Sequence, residues 1–459
     1  MYQLDFNHPI HIHFIGIGGI SMSGLAEVLL EKGFTISGSD AKASSLTRLL
    51  EEKGAAIFYG QKKENITPDI DLVVYTSAIH PDNPEFAAMQ EMGIPSLSRA
   101  QLLGQMMKNY ETPVAVSGTH GKTTTTSMIS EILLEAGLDP TLSIGGILKS
   151  IGGNIRIGRD GCFVTEACEY TNSFLSFYPK IGIILNVEED HLDFFKDIDD
   201  IRNSFHKFAA LLPPEGTLII NGEIPKIDTI LSGLTCKVIT YGSSASYDYW
   251  PEQITYNETG CASFLLCRKD GYKDSFSLGV PGEHNIYNAL AAIILSDLLS
   301  VDRSAAKRAL SNFHGTERRF EYKGTVNGTV IIDDYAHHPT EITATLNAAV
   351  NYPHKTLWCV FQPHTFSRTK SFMKEFAKAL SLADQVILAD IYPARETDNL
   401  GISSETLQKE IEALGKQCYY FPSFGEIENF ILKNCVPGDL LITMGAGDVV
   451  NIGENLLKA

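Results

Sequence analysis

The chain has 459 residues, 44% of them hydrophobic and 20% charged, with a formal net charge of -18 at pH 7. Single cores stop growing at roughly 250 to 300 residues, so this length divides into about three domains, and the composition excludes a disordered chain. The acid excess repels a nucleic-acid backbone and excludes a general nucleic-acid partner, while leaving room for a local positive phosphate pocket.

Eight cysteines are scattered without a C-x-x-C pair or zinc-spaced neighbours, and those in apolar runs, such as Cys162 and Cys168, read as reduced thiols of the cytosol. The start is polar before His11, and no window approaches the roughly 18 apolar residues of a membrane span. A cytoplasmic protein with no membrane partner is expected; the oligomeric state is not legible.

Taken in chain order, residues 11–40 alternate an apolar strand (11–15), a glycine turn (16–19), a helical run to Lys32 and a second strand (34–37), a βαβ opening. A further strand at 72–75 and a polar helical stretch lead to a boundary at residue 108. A second unit, 109–315, begins with a strand at 114–117 and continues with strands at 162–165, 181–185 and 217–220, short antiparallel strands within 236–280, and a helix at 286–299. The segment 313–321 is rich in glycine and charge and marks the second boundary. The third unit, 316–459, alternates buried strands at 330–332, 356–361, 385–389 and 440–444 with helices, so all three units are α/β.

The run Val114-Ala-Val-Ser-Gly-Thr-His-Gly-Lys-Thr-Thr-Thr-Thr126 places a glycine turn between a buried strand and a helix start. Backbone N–H groups of Gly118, Thr119, His120 and Gly121 and the helix N-terminus suit a triphosphate, with Lys122 as a point charge and Thr123 and Thr124 beside it. The pattern departs from G-x-x-x-x-G-K-[ST] at Val116, and its alternative reading is a threonine-rich helix cap. Two later strands end in polar tips, Glu166-Ala-Cys-Glu169 and Asn186-Val-Glu-Glu-Asp-His191. Carboxyl ends of parallel strands gather ligands, so Glu166 is a natural magnesium partner; His191 taken alone reads more often as a hydrogen-bonded structural histidine than as a ligand, because magnesium prefers oxygen.

The first turn, Gly16-Ile-Gly18-Gly19-Ile20-Ser21, resembles a dinucleotide fingerprint whose third glycine is Ser21, and Asp40 ends the next strand, where an acid accepts a ribose hydroxyl. A diphosphate-sized site apart from the triphosphate loop implies a nucleotide-carrying substrate. In the third unit, Tyr335, His337, His338, His364 and Arg368 follow two strands; without further information the two histidines before Pro339 read as a helix cap and Arg368 as a solvated helix residue.

Together these segments, with Gly38-Ser-Asp40, Thr76-Ser-Ala-Ile79, Pro281-Gly-Glu-His-Asn-Ile-Tyr-Asn288, Arg318-Arg-Phe-Glu321, Asp333-Asp-Tyr-Ala-His-His-Pro-Thr-Glu341 and Phe361-Gln-Pro-His-Thr-Phe-Ser-Arg-Thr369, resemble the muramyl ligase family over essentially the whole length. The resemblance implies an N-terminal Rossmann-like unit, a central P-loop ATPase-like unit and a C-terminal Rossmann-like unit that closes over the site. It implies ATP-dependent amide formation between L-alanine and the lactyl carboxylate of UDP-N-acetylmuramate, with ATP and Mg2+ as cofactors.

By the same resemblance, Gly16, Gly18, Gly19, Ile20, Ser21, Ser39, Asp40, Thr76, Ser77 and Ala78 bind the UDP-sugar. Gly118 to Thr124, His284, Asn285, Asn288, Arg318 and Asp334 bind ATP; Thr123, Glu166 and His191 hold the metal. Tyr335, His337, His338, His364 and Arg368 line the amino-acid end, and Lys122, His191 and Arg368 form the catalytic set. Several relatives carry a carbamylated lysine after the D-H motif; here Ser204, Phe205, His206 and Lys207 occupy that stretch, and Lys207 is not assigned to the role. The competing expectations are a related ligase with another acceptor or amino acid (a muropeptide or polyglutamate ligase), a nicotinamide oxidoreductase, or an ATP-gated interaction protein.

Overall fold

Short apolar runs between glycine turns form parallel strands buried on both faces, and three sheets built this way organise the chain. The computed structural model describes residues 2–76, 78–394 and 396–458. Among these, the first sheet contains β1 (His11–Ile15), β2 (Thr35–Asp40), β3 (Ala56–Tyr59), β4 (Leu72–Tyr75) and β5 (Ser96–Ser98), all parallel, in the order β3-β2-β1-β4-β5. The order reverses at β1, and the Gly16–Gly19 turn sits at that switch point, where open α/β sheets bind ligands.

The central sheet is built from β6 (Thr112–Ser117), β7 (Thr141–Leu148), β8 (Gly153–Arg156), β9 (Cys162–Glu166), β10 (Ile181–Ile184), β11 (Thr217–Asn221), β12 (Lys237–Tyr241), β13 (Tyr249–Tyr256), β14 (Cys261–Arg268) and β15 (Lys273–Pro281). Its order is β15-β14-β13-β12-β11-β10-β6-β9-β7-β8. The short antiparallel strands expected within 236–280 need correction: β12 extends the parallel array beside β11, and only β13, β14 and β15 form an antiparallel meander. The strand β6, carrying the phosphate loop, lies between β10 and β9, so the polar tips of both neighbours flank that loop.

The third sheet contains β16 (Glu321–Val326), β17 (Thr329–Asp334), β18 (Leu357–Phe361), β19 (Gln385–Leu388), β20 (Cys418–Tyr420) and β21 (Leu440–Met444), in the order β16-β17-β21-β18-β19-β20. Only β16 is antiparallel; it forms a hairpin with β17 that begins at Glu321, the last residue of the stretch expected to be a boundary.

The cores do not follow the sheets one to one. Ile12 and Phe14 of β1 and Leu102, Met106 and Met107 of the helix Arg99–Met107 belong to one continuous buried cluster with Phe163, Phe174, Phe205 and Phe208 of the central unit. Each such side chain contributes about 1.5–3 kcal/mol on burial, so the first two units are welded. Glycines allow the close approach: a Cβ on Gly104 would lie 1.9 Å from the Ser176 carbonyl oxygen. The third unit keeps cores of its own, drawn from residues 320–457 alone.

Candidate active site

The phosphate loop leaves β6 through Gly118 (φ +145°) and enters the helix Lys122–Glu135 through Gly121 (φ +83°), conformations that favour glycine. A Cβ on Gly121 would meet Asn288 Oδ1 at 2.7 Å. Gly121 is the helix N-cap and supplies no side-chain cap, so the first-turn N–H groups are left for an anion. The loop is braced from β10: Asn186 accepts from the His120 N–H (2.7 Å) and donates back to its carbonyl (3.0 Å), and the Glu188 N–H donates to Thr119 Oγ1 (2.9 Å).

Lys122 Nζ donates to the Gly118 and Thr119 carbonyls and to Glu169 Oε2 at 3.0 Å. Burial is the largest influence and works against its charge, but Glu169, Cys168 and Glu166 together outweigh it and hold the Lys122 pKa above the ordinary lysine value. Thr123 donates to Glu166 Oε2 (3.1 Å), whose pKa is pushed up by burial, and the Gly145 N–H caps Oε1. Glu169 Oε1 is buried with no hydrogen-bond partner among the described residues, and His191 Nε2 lies 3.9 Å from it. His191 has φ +54°, and its ring stacks on Tyr170 at 4.4 Å. Thr123 and Glu166, 3.1 Å apart, are hard oxygen donors that fit a magnesium ion, and the unpartnered Glu169 oxygen on the same segment as Glu166 is a third donor of that kind.

Beside the loop, a cleft is lined by Gly121, Thr124, Leu185, Asn186, Tyr241, His284, Tyr287, Asn288, Arg319 and Asp334. The helix His284–Leu298 begins two residues before its predicted start, which puts His284 and Asn285 in its first turn at the cleft wall. Asn285 donates to the Pro281 carbonyl and receives from Asn288, which orients both amides. Burial lowers the His284 pKa to about 4, so its ring is neutral at pH 7.

In the first unit, Gly16 (φ +83°) and Ile17 donate to the Ser39 carbonyl, and the Gly18 N–H donates to Asp40 Oδ2 at 2.8 Å. Gly19 caps the helix Ile20–Glu31 without a side-chain cap, and Ile20 is exposed there. Ser39 is wholly buried, and its hydroxyl donates to Glu85, away from the cleft. The Ala78 N–H donates to Thr76 Oγ1, shaping the turn after β4; Ser77 lies outside the described residues.

The third unit brings Tyr335, His337, His364 and Arg368 together. The rings of His337 and His364 are 5.8 Å apart, and Arg368 NH1 lies 3.3 Å from His364 Nδ1. Burial holds both His337 and His364 at about 4. Arg368 NH2 also crosses to Asp190 Oδ1 at 3.2 Å; burial opposes ionisation of Asp190, but Arg368, His191 and His338 keep it below the usual carboxylate range. His338 is turned away from this group. It caps the helix Pro339–Val350, and its ring lies 4.9 Å from that of His120 in the phosphate loop.

Arg318 and Asp334 differ in placement. Arg318 (φ +60°) turns inward, donating to Asp333 and to the Gly445 and Gly447 carbonyls, so its guanidinium is spent within the third unit. Its neighbour Arg319 faces the cleft, which sequence reasoning missed. Asp334 lines the cleft and accepts from the Phe320 and Ala336 N–H groups; burial raises its pKa to about 6, partly offset by Arg319.

Sequence reasoning also missed Arg99. Ser98 and Gln101 form a capping box that starts the helix Arg99–Met107 directly after β5 and sets Arg99 at its first position. The Ser98-x-x-Gln101 pattern was the available signal. Arg99 donates to Ser21 Oγ (3.0 Å) and has no carboxylate partner among the described residues, and burial lowers its pKa. Each unit thus contributes a half-buried cation, Arg99, Lys122 and Arg368, in a chain whose net charge is -18.

Known proteins with this arrangement are numerous. The Mur ligase catalytic domain matches residues 11–111, the Mur ligase middle domain 116–296 and the Mur ligase glutamate ligase domain 318–447. The UDP-N-acetylmuramate–L-alanine ligases of Lachnospira eligens and Agathobacter rectalis are 61% and 60% identical, each over 100% of both chains. Among solved structures, the UDP-N-acetylmuramate-alanine ligase of Thermotoga maritima superposes with a TM-score of 0.81 at 29% identity, covering 98% of each chain. A murein peptide ligase from Psychrobacter arcticus gives 0.72 at 28% identity and the same coverage. With identity of this order along its entire length, the chain belongs to the Mur ligase family.

Proposed function

We infer that the chain is an ATP-dependent ligase joining L-alanine to the lactyl carboxylate of UDP-N-acetylmuramate, with release of ADP and phosphate, in the synthesis of peptidoglycan precursors. The observation that carries this reading is a chain of contacts that joins the phosphate loop to the third unit: Lys122 pairs with Glu169, His191 Nε2 lies 3.9 Å from Glu169 and 3.7 Å from Asp190, and Asp190 pairs with Arg368 of the Arg368–His364–His337 group. Arg99 stands beside the first glycine turn with Ser21 as its hydrogen-bond acceptor. The division after residues 108 and 315 assigns the UDP-sugar to the first unit, ATP to the second and the amino-acid end to the third.

A carboxylate is a poor electrophile because its leaving group is oxide. ATP removes that obstacle: the lactyl carboxylate oxygen attacks the γ-phosphorus, ADP leaves, and an acyl phosphate forms. Lys122 and the loop N–H groups neutralise charge on the transferring phosphoryl group, which in this chemistry is the main catalytic contribution. A magnesium ion held by Thr123 and Glu166, with Glu169 and His191 near it, would add positive charge at the phosphates. The neutral amine of L-alanine then attacks the acyl carbon, and the tetrahedral intermediate expels phosphate.

The amine loses its proton to an imidazole. His191, His337, His338 and His364 are the candidates; the burial that keeps His337 and His364 neutral also makes them weak bases. Arg368 is placed to hold the amino-acid carboxylate or the acyl oxygen once Asp190 releases it. Arg99, at a capped helix start next to Ser21, is placed for an anionic group of the UDP-sugar.

The test is Lys122→Ala. Phosphate release dependent on both UDP-N-acetylmuramate and L-alanine should fall by at least about 10³-fold, while UDP-N-acetylmuramate binding by calorimetry is retained. Unchanged turnover would overturn the mechanism, and a panel of amino acids in the same assay separates L-alanine ligation from a muropeptide or polyglutamate reaction.

A further inference from the structure

The histidine of the phosphate loop has a second environment that phosphate transfer does not use. Among the described residues, His120, Glu188 and His338 are the one group whose ligand atoms all lie within 4.8 Å of one another. They come from three separate segments: the phosphate loop, the tip beyond β10, and the cap of the helix Pro339–Val350 in the third unit. His120 Nε2 and His338 Nε2 are both buried with no hydrogen-bond partner, and His338 is 4% exposed. Unsatisfied buried imidazole nitrogens are costly, so two histidines that each carry one and share a carboxylate within the same 4.8 Å group ask for a ligand. We propose that His120, Glu188 and His338 form a site for a borderline-soft divalent cation of the zinc type, which clamps the third unit onto the phosphate loop.

The donor set suits that class of ion. Two imidazoles and one carboxylate match a three-ligand zinc site with a fourth position open, whereas magnesium prefers oxygen alone. His120 is already oriented as a metal-binding histidine is: its Nδ1 lies 3.2 Å from Glu341 Oε1, a carboxylate behind the ring that leaves Nε2 forward. Glu188 Oε2 is 3.6 Å from that Nε2. Ligand atoms around a tetrahedral zinc are separated by about 3.3 Å, from Zn–N distances near 2.0–2.1 Å. From 3.6 Å between His120 and Glu188, and at most 4.8 Å within the group, the ligands have to close by about 0.3 Å and at most about 1.5 Å, which a seam between two units permits.

Two adjustments accompany binding. The cation replaces the proton that Glu188 and Glu341 hold on His120, and that proton passes to solvent. His338 moves its own proton from Nε2 to Nδ1 and gives up the 3.4 Å contact from the Thr340 N–H. Access is open: Glu188 borders both the nucleotide cleft and a second cavity that reaches His338 from the opposite side. This site goes beyond the ligase reading and does not depend on it.

The experiment uses the full chain, stripped of metals and without nucleotide. Titration with Co2+ should produce the intense visible bands of four- or five-coordinate cobalt, and calorimetry with Zn2+ should show one site. His338→Ala and Glu188→Gln should each weaken Zn2+ binding at least about tenfold and abolish the bands. Glu188→Gln is near-isosteric at a partly exposed position and serves if His338→Ala fails to fold. His191→Ala should leave both signals intact. Equal Zn2+ affinity in the parent and Glu188→Gln, or loss only in His191→Ala, would overturn the proposal. The ligase assay with magnesium reads the proposed activity separately.

Discussion

The central unit meets its two neighbours through surfaces of opposite chemistry. Against the first unit it presents phenylalanines and backbone, with Gly24 and Gly104 admitting Ile155 and the Ser176 carbonyl where any Cβ would collide. Against the third unit it presents charge and hydroxyls: Asp190 to Arg368, Glu188 to Thr340, His120 to Glu341, Lys149 to Glu321 and Ser127 to Thr316. An apolar seam gains its energy only while sealed, whereas polar partners exchange one another for water at small net cost. The first seam therefore fixes the Gly16–Gly19 turn relative to the Gly118–Gly121 loop, and the second suits a unit that opens and closes over the cleft.

The sharpest break of that contrast is Gly104→Ala. Its Cβ would lie 1.9 Å from a backbone oxygen, so the seam must part, and urea unfolding should show a loss of about 3 kcal/mol or more despite the better helix propensity of alanine. Full stability would mean that the welded seam has slack. Next comes Asp334, the buried acid on the third unit's cleft wall. A carboxyl raised from 3.8 to about 6 stabilises the fold only when protonated, a contribution present below pH 3.8 and lost as pH climbs through 6. Relative to Asp334→Asn, the parent should therefore gain up to about 3 kcal/mol as pH falls from 7 toward 4. A flat difference across that range would place Asp334 in water.

Arg368→Ala tests the polar seam. In a sealed interior the orphaned Asp190 would cost about 3–5 kcal/mol. If the seam opens and hydrates it, stability should move by less than about 1 kcal/mol, while kcat/KM falls about 100-fold. A large stability loss with preserved turnover would reverse the contrast between the two seams. The mildest change is Thr340→Val, which deletes the 2.8 Å hydroxyl bond to Glu188. Steady-state kinetics should show kcat/KM reduced about fivefold or less, the scale of one neutral donor at a solvated seam.

Much of the architecture was legible in advance because its determinants are local. Runs such as 11–15, 72–75 and 440–444 are apolar, short and bounded by turns, and they appear as β1, β4 and β21 with those same limits. The strands missed are β3, β5, β8, β16 and β20, each at a sheet edge, and β7, next to an edge and interrupted by Gly145-Gly146. The phosphate loop was legible because backbone geometry demands glycine at positions 118 and 121 and the following lysine has one place to go. Which of Arg318 and Arg319 faces the cleft was not, since a left-handed backbone at Arg318 decides it.

By itself the sequence determined three α/β units, a glycine loop between a buried strand and a helix ahead of Lys122, and an acidic chain, since periodicity, turn chemistry and composition act over a few residues at a time. Only the tertiary structure decided that the first two units share one core, that Arg99 stands beside Ser21, and that His338 turns from the other histidines toward His120. Those outcomes join residues 78 to 218 positions apart. They depend on how the sheets dock, which no local pattern encodes.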